Sequence, residues 1–536
     1  MTIWRSQRNL CKGVRLLQQD VQELLEKPLC HSKEEDGDEG EDDEELENIA
    51  LWSGGLCLPF DPDEYVGAVT IKTDQGGSGE RFVASRDLDA GTLVLAECAI
   101  ATGVKAVSFY RSLYNDASAS EADLPMGIDT AGVLSALVDV ILVAAEESTK
   151  ALRDVFGKLK GLYPRTKKEL KQLGKWESGE TRGILDRHLD KELTDMLQRI
   201  RGRVDIDDPA REKERLKWVV SLNALGMYQQ SEQFCYSKAG FDKMEAVGLF
   251  FLASFFNHSC SPNVCRYSIS EWMLFHTIKP VKKGEPLTIS YVEEEHLEEP
   301  LWLRRAVLAE NGYQRFKCVC PKCVEQRDDP SQTEEGCPVM QPFQDGFDEE
   351  LLKLPPNQRL QHIQEVKSAV EEALQTRRVL LSDRIQLSLM EGAAHAQLRN
   401  FDEADRAWGR AYEVATEALP DNDEHLVALS TLLACCAACL PPSEQSHFML
   451  ETWLATAVRI HSVCFGGGVH LYRQRYRVEL QQLDNFPPDT HDTVREAISS
   501  VLTRLECAEM RQRVVARRKR KILHRMFVWT KRRRPA

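Results

Sequence analysis

The sequence has no apolar run long enough to cross a bilayer, and its first residues, Met1-Thr2-Ile3-Trp4-Arg5, lack the apolar stretch of a secretory leader. Both absences predict an intracellular protein, nuclear or cytoplasmic, with no transmembrane segment. An excess of positive charge is missing too. Lys and Arg number 69 against 84 Asp and Glu, a net charge of -15, which excludes simple sequence-independent DNA binding as the main activity. Nor is there a disulfide framework. Sixteen cysteines are spread thinly over 536 residues, and in a reducing compartment clustered cysteines read as metal ligands. Between Cys98 and Cys235 there is no cysteine at all.

What is present fits several domains. A chain of this length, 42% hydrophobic and 29% charged, can form two to four cores. Residues 1–50 predict a short amphipathic helix (Leu16, Val21, Leu24 and Leu25 on one face) and then an acidic, solvated run from Glu34 to Glu47. Short strands are expected at Val66–Ile71, Arg81–Ala84 and Thr92–Ala96, within a β-rich piece over 51–100. From 101 to 245 the periodicity turns helical, most clearly at Ala131–Glu147 and Lys191–Arg203. Neither β-rich flank could close a core alone, so this helical stretch reads as an insertion that splits one domain, resumed over 246–326. A polar linker follows at about 327–347. Residues 348–510 are helical, and Gly392, Ala404, Trp408 and Ala411 occupy the small and aromatic positions of a tetratricopeptide helix pair, although Ser388 stands where that repeat prefers Trp. An unrelated helical bundle is the alternative. Thr493-Val494-Arg495-Glu496 has the form of a capping box for the last helix, and 511–536 is a basic tail.

Three short segments carry chemistry. They are Asn257-His258-Ser259-Cys260-Ser261-Pro262-Asn263, then Gly284-Glu285-Pro286-Leu287-Thr288-Ile289-Ser290-Tyr291, then Phe316-Lys317-Cys318-Val319-Cys320-Pro321-Lys322-Cys323. On the residues alone, Asn257 and His258 end a strongly apolar run and need polar partners. Tyr291 ends a β-type run and is either a packing tyrosine or an exposed hydroxyl. Cys318, Cys320 and Cys323 offer three thiolates from one tight loop. A fourth would close a tetrahedral structural zinc, with Cys260, Cys265 and Cys337 as candidates. Cys435, Cys436 and Cys439, in an Ala- and Leu-rich helix, read as buried apolar residues.

In this order the three segments resemble the second half of a SET domain with its post-SET zinc loop, the family that moves methyl groups from S-adenosylmethionine to protein lysines. The resemblance implies an α+β fold: a split β-rich SET domain with a helical insertion and a post-SET zinc loop, followed by an all-α, TPR-like domain. It implies that Tyr291 is the catalytic tyrosine, that Asn257 and His258 lie beside the methionine end of the cofactor in a pseudoknot-like crossing, and that Phe316 packs near its adenine. It assigns the fourth zinc ligand to Cys260, beside Cys318, Cys320 and Cys323. Asn223 resembles a cofactor-contacting asparagine that follows the helical insertion in SMYD proteins; a helix-end asparagine is the other reading. Gly77 and Gly79 resemble the Gly-x-Gly of the first SET strand, with four residues from Gly79 to Ala84 where the usual spacing is two. The post-SET aromatic two positions before Phe316 is here Gln314, with Tyr313 one further away. With no cysteine between Cys98 and Cys235, a MYND finger cannot sit in the insertion, which favours the MYND-less, fungal-type TPR/SET group.

The function expected is methylation of a lysine on a histone or non-histone protein. The competing expectation is an inactive SET/TPR scaffold that recruits partners through its helices. Arg517-Arg518-Lys519-Arg520-Lys521 and Lys531-Arg532-Arg533-Arg534 fit nuclear import signals, a weak nucleic-acid contact or an acidic partner; Met526 to Trp529 between them would also suit a membrane surface. A solvated extension is the plain alternative.

Overall fold

The computed structural model describes residues 65–73, 80–104, 131–173, 183–227, 246–269, 272–292, 297, 300–309, 316–328, 354–374, 381–419, 422–476, 480 and 483–532. The helix expected within 1–50, the acidic run, Gly77, Gly79, Tyr313, Gln314, Cys337 and most of the linker lie outside them.

The strands are β1 (Tyr65–Val66), β2 (Val69–Thr73), β3 (Glu80–Ala84), β4 (Leu93–Cys98), β5 (Ala101–Val104), β6 (Ala224–Met227), β7 (Ala246–Leu249), β8 (Asn257–His258), β9 (Val264–Ile269), β10 (Trp272–Thr277) and β11 (Thr288–Ile289). Helices α1 (Ala131–Glu147), α2 (Thr149–Gly161), α3 (Lys167–Leu173), α4 (Gly183–Ile200) and α5 (Pro209–Asn223) form the insertion. Helices α6 (Leu301–Leu308) and α7 (Pro321–Glu325) follow β11. The C-terminal unit comprises α8 (Pro356–Leu374), α9 (Leu381–Gln397), α10 (Phe401–Ala418), α11 (Glu424–Cys439), α12 (Glu444–Phe465), α13 (Gly468–Arg475) and α14 (His491–Arg532).

Sequence-distant strands meet in small sheets. An antiparallel sheet has the order β1-β4-β10-β9, and a second, β5-β7-β6, joins the chain before the insertion to the chain after it, with Ala101 opposite Leu249 and Ala224 opposite the same residue. Gly103 lets α1 lie against β5: a Cβ there would collide with the Gly132 and Val133 backbone at the start of α1. The last helix of the insertion starts where its chemistry says it should. Asp208 caps α5 by accepting from the Ala210 and Arg211 amides, with Pro209 in the first turn.

The β4-β10-β9 sheet is buried on both sides. Along β10, Met273 and Phe275 join a core with Val94, Leu95, Phe256 and Ile289, while Trp272 and Leu274 join Tyr65, Ala96 and Tyr267 in the core of the C-terminal helices. This is the two-residue alternation of a strand, with a register shift at Phe275/His276. The helical unit is therefore not strung on a linker; it shares a core with the sheet. Tyr267 Oη donates to the Phe465 carbonyl at 2.7 Å, Cys265 Sγ to the Cys464 carbonyl at 2.8 Å and Asn422 Nδ2 to the Ile278 carbonyl at 2.8 Å.

Helix α11 is apolar on nearly every side and central. Cys435 and Cys436 are buried in it, and burial pushes both thiols up, as expected of inert core cysteines. Trp408 fills the gap left by Gly392 and donates Nε1–H to the Leu389 carbonyl at 3.2 Å. The expected capping box at Thr493 does not form as a helix start. Helix α14 already begins at His491, led in by a 3-10 turn at Pro488–Thr490, so Thr493 lies inside the first turn.

Candidate active site

The site is built where the apolar run 247–256 runs out. Leu249, Phe250, Phe255 and Phe256 are buried, and the turn between them is tied by one carboxylate. Glu97, 1% exposed, accepts the backbone N–H groups of Phe251 (3.0 Å), Leu252 (2.8 Å) and Ala253 (2.8 Å). The chain leaves this turn as β8, which pairs in parallel with β11, Asn257 opposite Thr288 and His258 opposite Ile289. Asn263 locks the crossing: its Oδ1 accepts from Thr288 N at 2.8 Å and its Nδ2 donates to the Pro286 carbonyl at 2.8 Å.

The crossing delivers Tyr291 next to His258. The Tyr291 backbone N–H donates to His258 Nδ1 at 2.9 Å, and its phenol O–H donates to the Phe256 carbonyl at 2.6 Å. Burial pushes the phenol above its ordinary value. His258 is buried, and that burial lowers the imidazole to about 4, the nearby Arg304 adding to the effect. It is thus neutral at physiological pH. Because Nδ1 accepts, the proton sits on Nε2, 3.3 Å from Cys260 Sγ. Phe316, 39% exposed, stands edge-on to the His258 ring at 5.8 Å. Asn257 is half-buried beside it.

The sulfurs of Cys260, Cys318, Cys320 and Cys323 lie within 4.8 Å of one another. Cys323 Sγ and Cys260 Sγ are 3.5 Å apart; ligands of a tetrahedral zinc, with bonds of about 2.3 Å, sit roughly 3.8 Å apart. The donor set therefore suits a closed structural zinc. Of the competing fourth ligands, Cys265 is directed elsewhere, onto the Cys464 carbonyl. Hydrogen bonding among the four crowded thiols pulls their pKa values apart: the bond from Cys260 lowers Cys323, while Cys260 is pushed up by its bonds with Cys318, Cys320 and Cys323.

Asn223 is buried at the end of α5, and its amide nitrogen makes two structural bonds: Nδ2 donates to the Tyr163 carbonyl at 2.6 Å and to the Val219 carbonyl at 2.7 Å. It fastens the α2–α3 connection, which Arg165 also anchors by pairing with Glu80 at 2.7 Å and lying over the Phe255 ring. Sequence reasoning missed Glu97, Asn263 and Arg304 as site-building residues. For Glu97 the available signal was a lone charge inside an apolar run, Leu93-Val94-Leu95-Ala96-Glu97-Cys98-Ala99.

Residues 79–292 match the family model described as SET domain. The chain carries a SET domain. Curated relatives match a small share of the chain. A SET and MYND domain-containing protein of Dictyostelium discoideum is 40% identical over 82 residues, 15% of this chain and 20% of that protein. Potential protein lysine methyltransferase SET6 of Saccharomyces cerevisiae is 37% identical over 106 residues, 19% of this chain and 26% of that protein. Human protein-lysine N-trimethyltransferase SMYD5 is 38% identical over 93 residues, 17% and 22% respectively. The chain thus spans about a fifth to a quarter of the length of these relatives. Among solved structures, Rubisco LSMT bound to AdoMet aligns over 82% of this chain and 92% of that one, at 12% identity and a TM-score of 0.23, an overlay too loose to build on.

Proposed function

We propose that this SET domain is an S-adenosylmethionine-dependent protein-lysine N-methyltransferase. The observation that carries the reading is the double tether of Tyr291, its N–H on His258 and its O–H on the Phe256 carbonyl, at the end of a crossing that also presents Asn257. S-adenosylmethionine, when bound, supplies an electrophilic methyl on a sulfonium. Asn257 and His258 would hold its amino-acid end and Phe316, an exposed ring beside them, its adenine. Asn223, Gly77 and Gly79 remain proposed contacts.

With its own proton given to Phe256, the Tyr291 oxygen can only accept from a further donor, which suits it to orient a lysine amine. Its raised pKa keeps it a phenol, so it is a poor general base. The target amine, ordinarily near 10.4, must lose its proton elsewhere. Burial of the surrounding core disfavours an ammonium beside Tyr291. Zinc on the four thiols would be structural and would fasten the 316–328 segment, which carries Phe316, against β8. The C-terminal helices, TPR-like in the Gly392/Trp408 pair, and the basic 511–536 tail are proposed partner surfaces, for proteins and for weak nucleic-acid contact, in the nucleus or cytoplasm. Among the described residues no helix is long and apolar enough to cross a membrane.

Calorimetry of S-adenosylmethionine on zinc-replete protein tests the proposal. One-site binding, lost in Asn257→Ala, is expected. A folded, zinc-loaded protein that binds none would move the function to the scaffold reading.

A further inference from the structure

The four-cysteine cluster is almost sealed. Cys323 is 0% exposed, Cys318 2% and Cys260 3%. Four thiolates around one divalent cation carry a net charge of about -2. Burying such a charge costs several kcal/mol unless donors and a counter-charge face it. The structure places two donors there. His258 directs Nε2 at Cys260 Sγ, 3.3 Å away. Arg304, on α6 and 0% exposed, puts Nη2 3.8 Å from Cys323 Sγ and 2.5 Å from Gln326 Oε1.

We propose that Arg304 is a positioning residue of the cysteine site, offsetting the charge of the metal–thiolate cluster while donating to Cys323. The inference rests on the zinc reading above. One nitrogen, Nη2, serves Cys323 and Gln326 together, tying α6 to α7 and to the turn after it, and the guanidinium keeps its charge when buried. Lys322, the nearest lysine in sequence, donates instead to the Leu297 carbonyl. Gln326 ends α7, whose first turn carries Cys323, so Arg304 also fixes the direction from which that sulfur approaches the metal. Hydrogen-bond donors behind metal ligands orient those ligands and tune their affinity, by about tenfold to a hundredfold.

The test uses the full chain loaded with zinc, its metal content measured by elemental analysis and its affinity by competition with a chromophoric chelator. Arg304→Met is the first variant, because a long apolar side chain fills the same space and spares the core. Arg304→Lys restores charge without the full fork. The methionine variant should lose zinc affinity by about tenfold to a hundredfold, and the lysine variant should recover part of it. Melting of the metal-free forms should differ little between wild type and Arg304→Met. Equal zinc affinity in wild type and Arg304→Met overturns the inference. So does an equal drop in melting temperature with and without zinc, which would make Arg304 a packing residue only. A wild-type protein that takes up no zinc sinks the metal reading itself, and is recognised before any variant is made.

Discussion

The backbone N–H of Tyr291 donates to Nδ1 of His258 at 2.9 Å, across residues that the chain separates by 33 positions. That single bond fixes the histidine tautomer, aims its other nitrogen at Cys260 and sets the height at which the tyrosine leaves β11. The candidate catalytic residue and the candidate metal site are thereby two ends of one hydrogen-bonded unit.

Tyr291→Phe removes one hydroxyl and its bond to Phe256, and leaves the His258 contact to the backbone intact. Methyl transfer to lysine peptides should fall by about a hundredfold or more. S-adenosylmethionine affinity in calorimetry should stay within a few-fold of wild type. Undiminished turnover would take Tyr291 out of the mechanism.

Glu97→Ala would strand three amide donors, the buried one of Ala253 and the half-buried ones of Phe251 and Leu252. At about 1–3 kcal/mol for a buried unsatisfied group, and less for the half-buried two, the domain should lose at least about 1 kcal/mol in urea unfolding. Glu97→Gln, which keeps one acceptor oxygen, should lose less. A near-neutral alanine variant would mean that water replaces the carboxylate freely.

Gly392→Ala asks α9 to accept a Cβ where the Trp408 indole lies. The ring is 1% exposed and bonded to Leu389, so it has no easy exit. We expect a destabilisation of about 1–3 kcal/mol from overpacking, seen as a lowered thermal midpoint. A glycine that merely ends up in a helix would instead gain stability on becoming alanine.

His276 is fully buried in the β10 strand, stacked on Tyr267 at 5.7 Å with Cys265 opposite, and burial lowers its imidazole to about 3. The unfolded chain takes up this proton below about pH 6.5 and the folded chain does not until about 3. Its contribution is therefore complete above pH 6.5 and is lost progressively as the pH falls toward 3. His276→Gln should flatten acid destabilisation between pH 6.5 and 4.5 by up to about 1.4 kcal/mol per pH unit, one proton's worth. Parallel pH profiles for the two proteins would contradict this.

Much of the site was legible in the sequence because its parts are contiguous. Asn257-His258, Ile289-Ser290-Tyr291 and the Cys318/Cys320/Cys323 loop each announce themselves by residue type and spacing, and the helix at Ala131–Glu147 has the bounds its periodicity predicts. Periodicity could also place Cys435 and Cys436 inside a helix. The Thr493 box misled because capping potential is local, whereas the preceding 3-10 turn, from Pro488, decided where α14 begins.

By itself, then, the sequence determined the local elements and the chemical inventory: short strands, an insertion of helices, three thiols in a tight loop, a tyrosine at a strand end. Those depend on interactions within a few residues. Only the tertiary structure decided which distant groups meet. It chose Cys260 over Cys265 for the sulfur cluster, gave Asn223 to the Tyr163 carbonyl and buried Glu97 and Arg304 as anchors. It also pressed the C-terminal helices onto the sheet so that the two share one core. The physical reason is that a buried charge or polar group has no preferred partner until the fold has excluded water around it, and which groups are then within reach is set by packing between elements far apart in the chain.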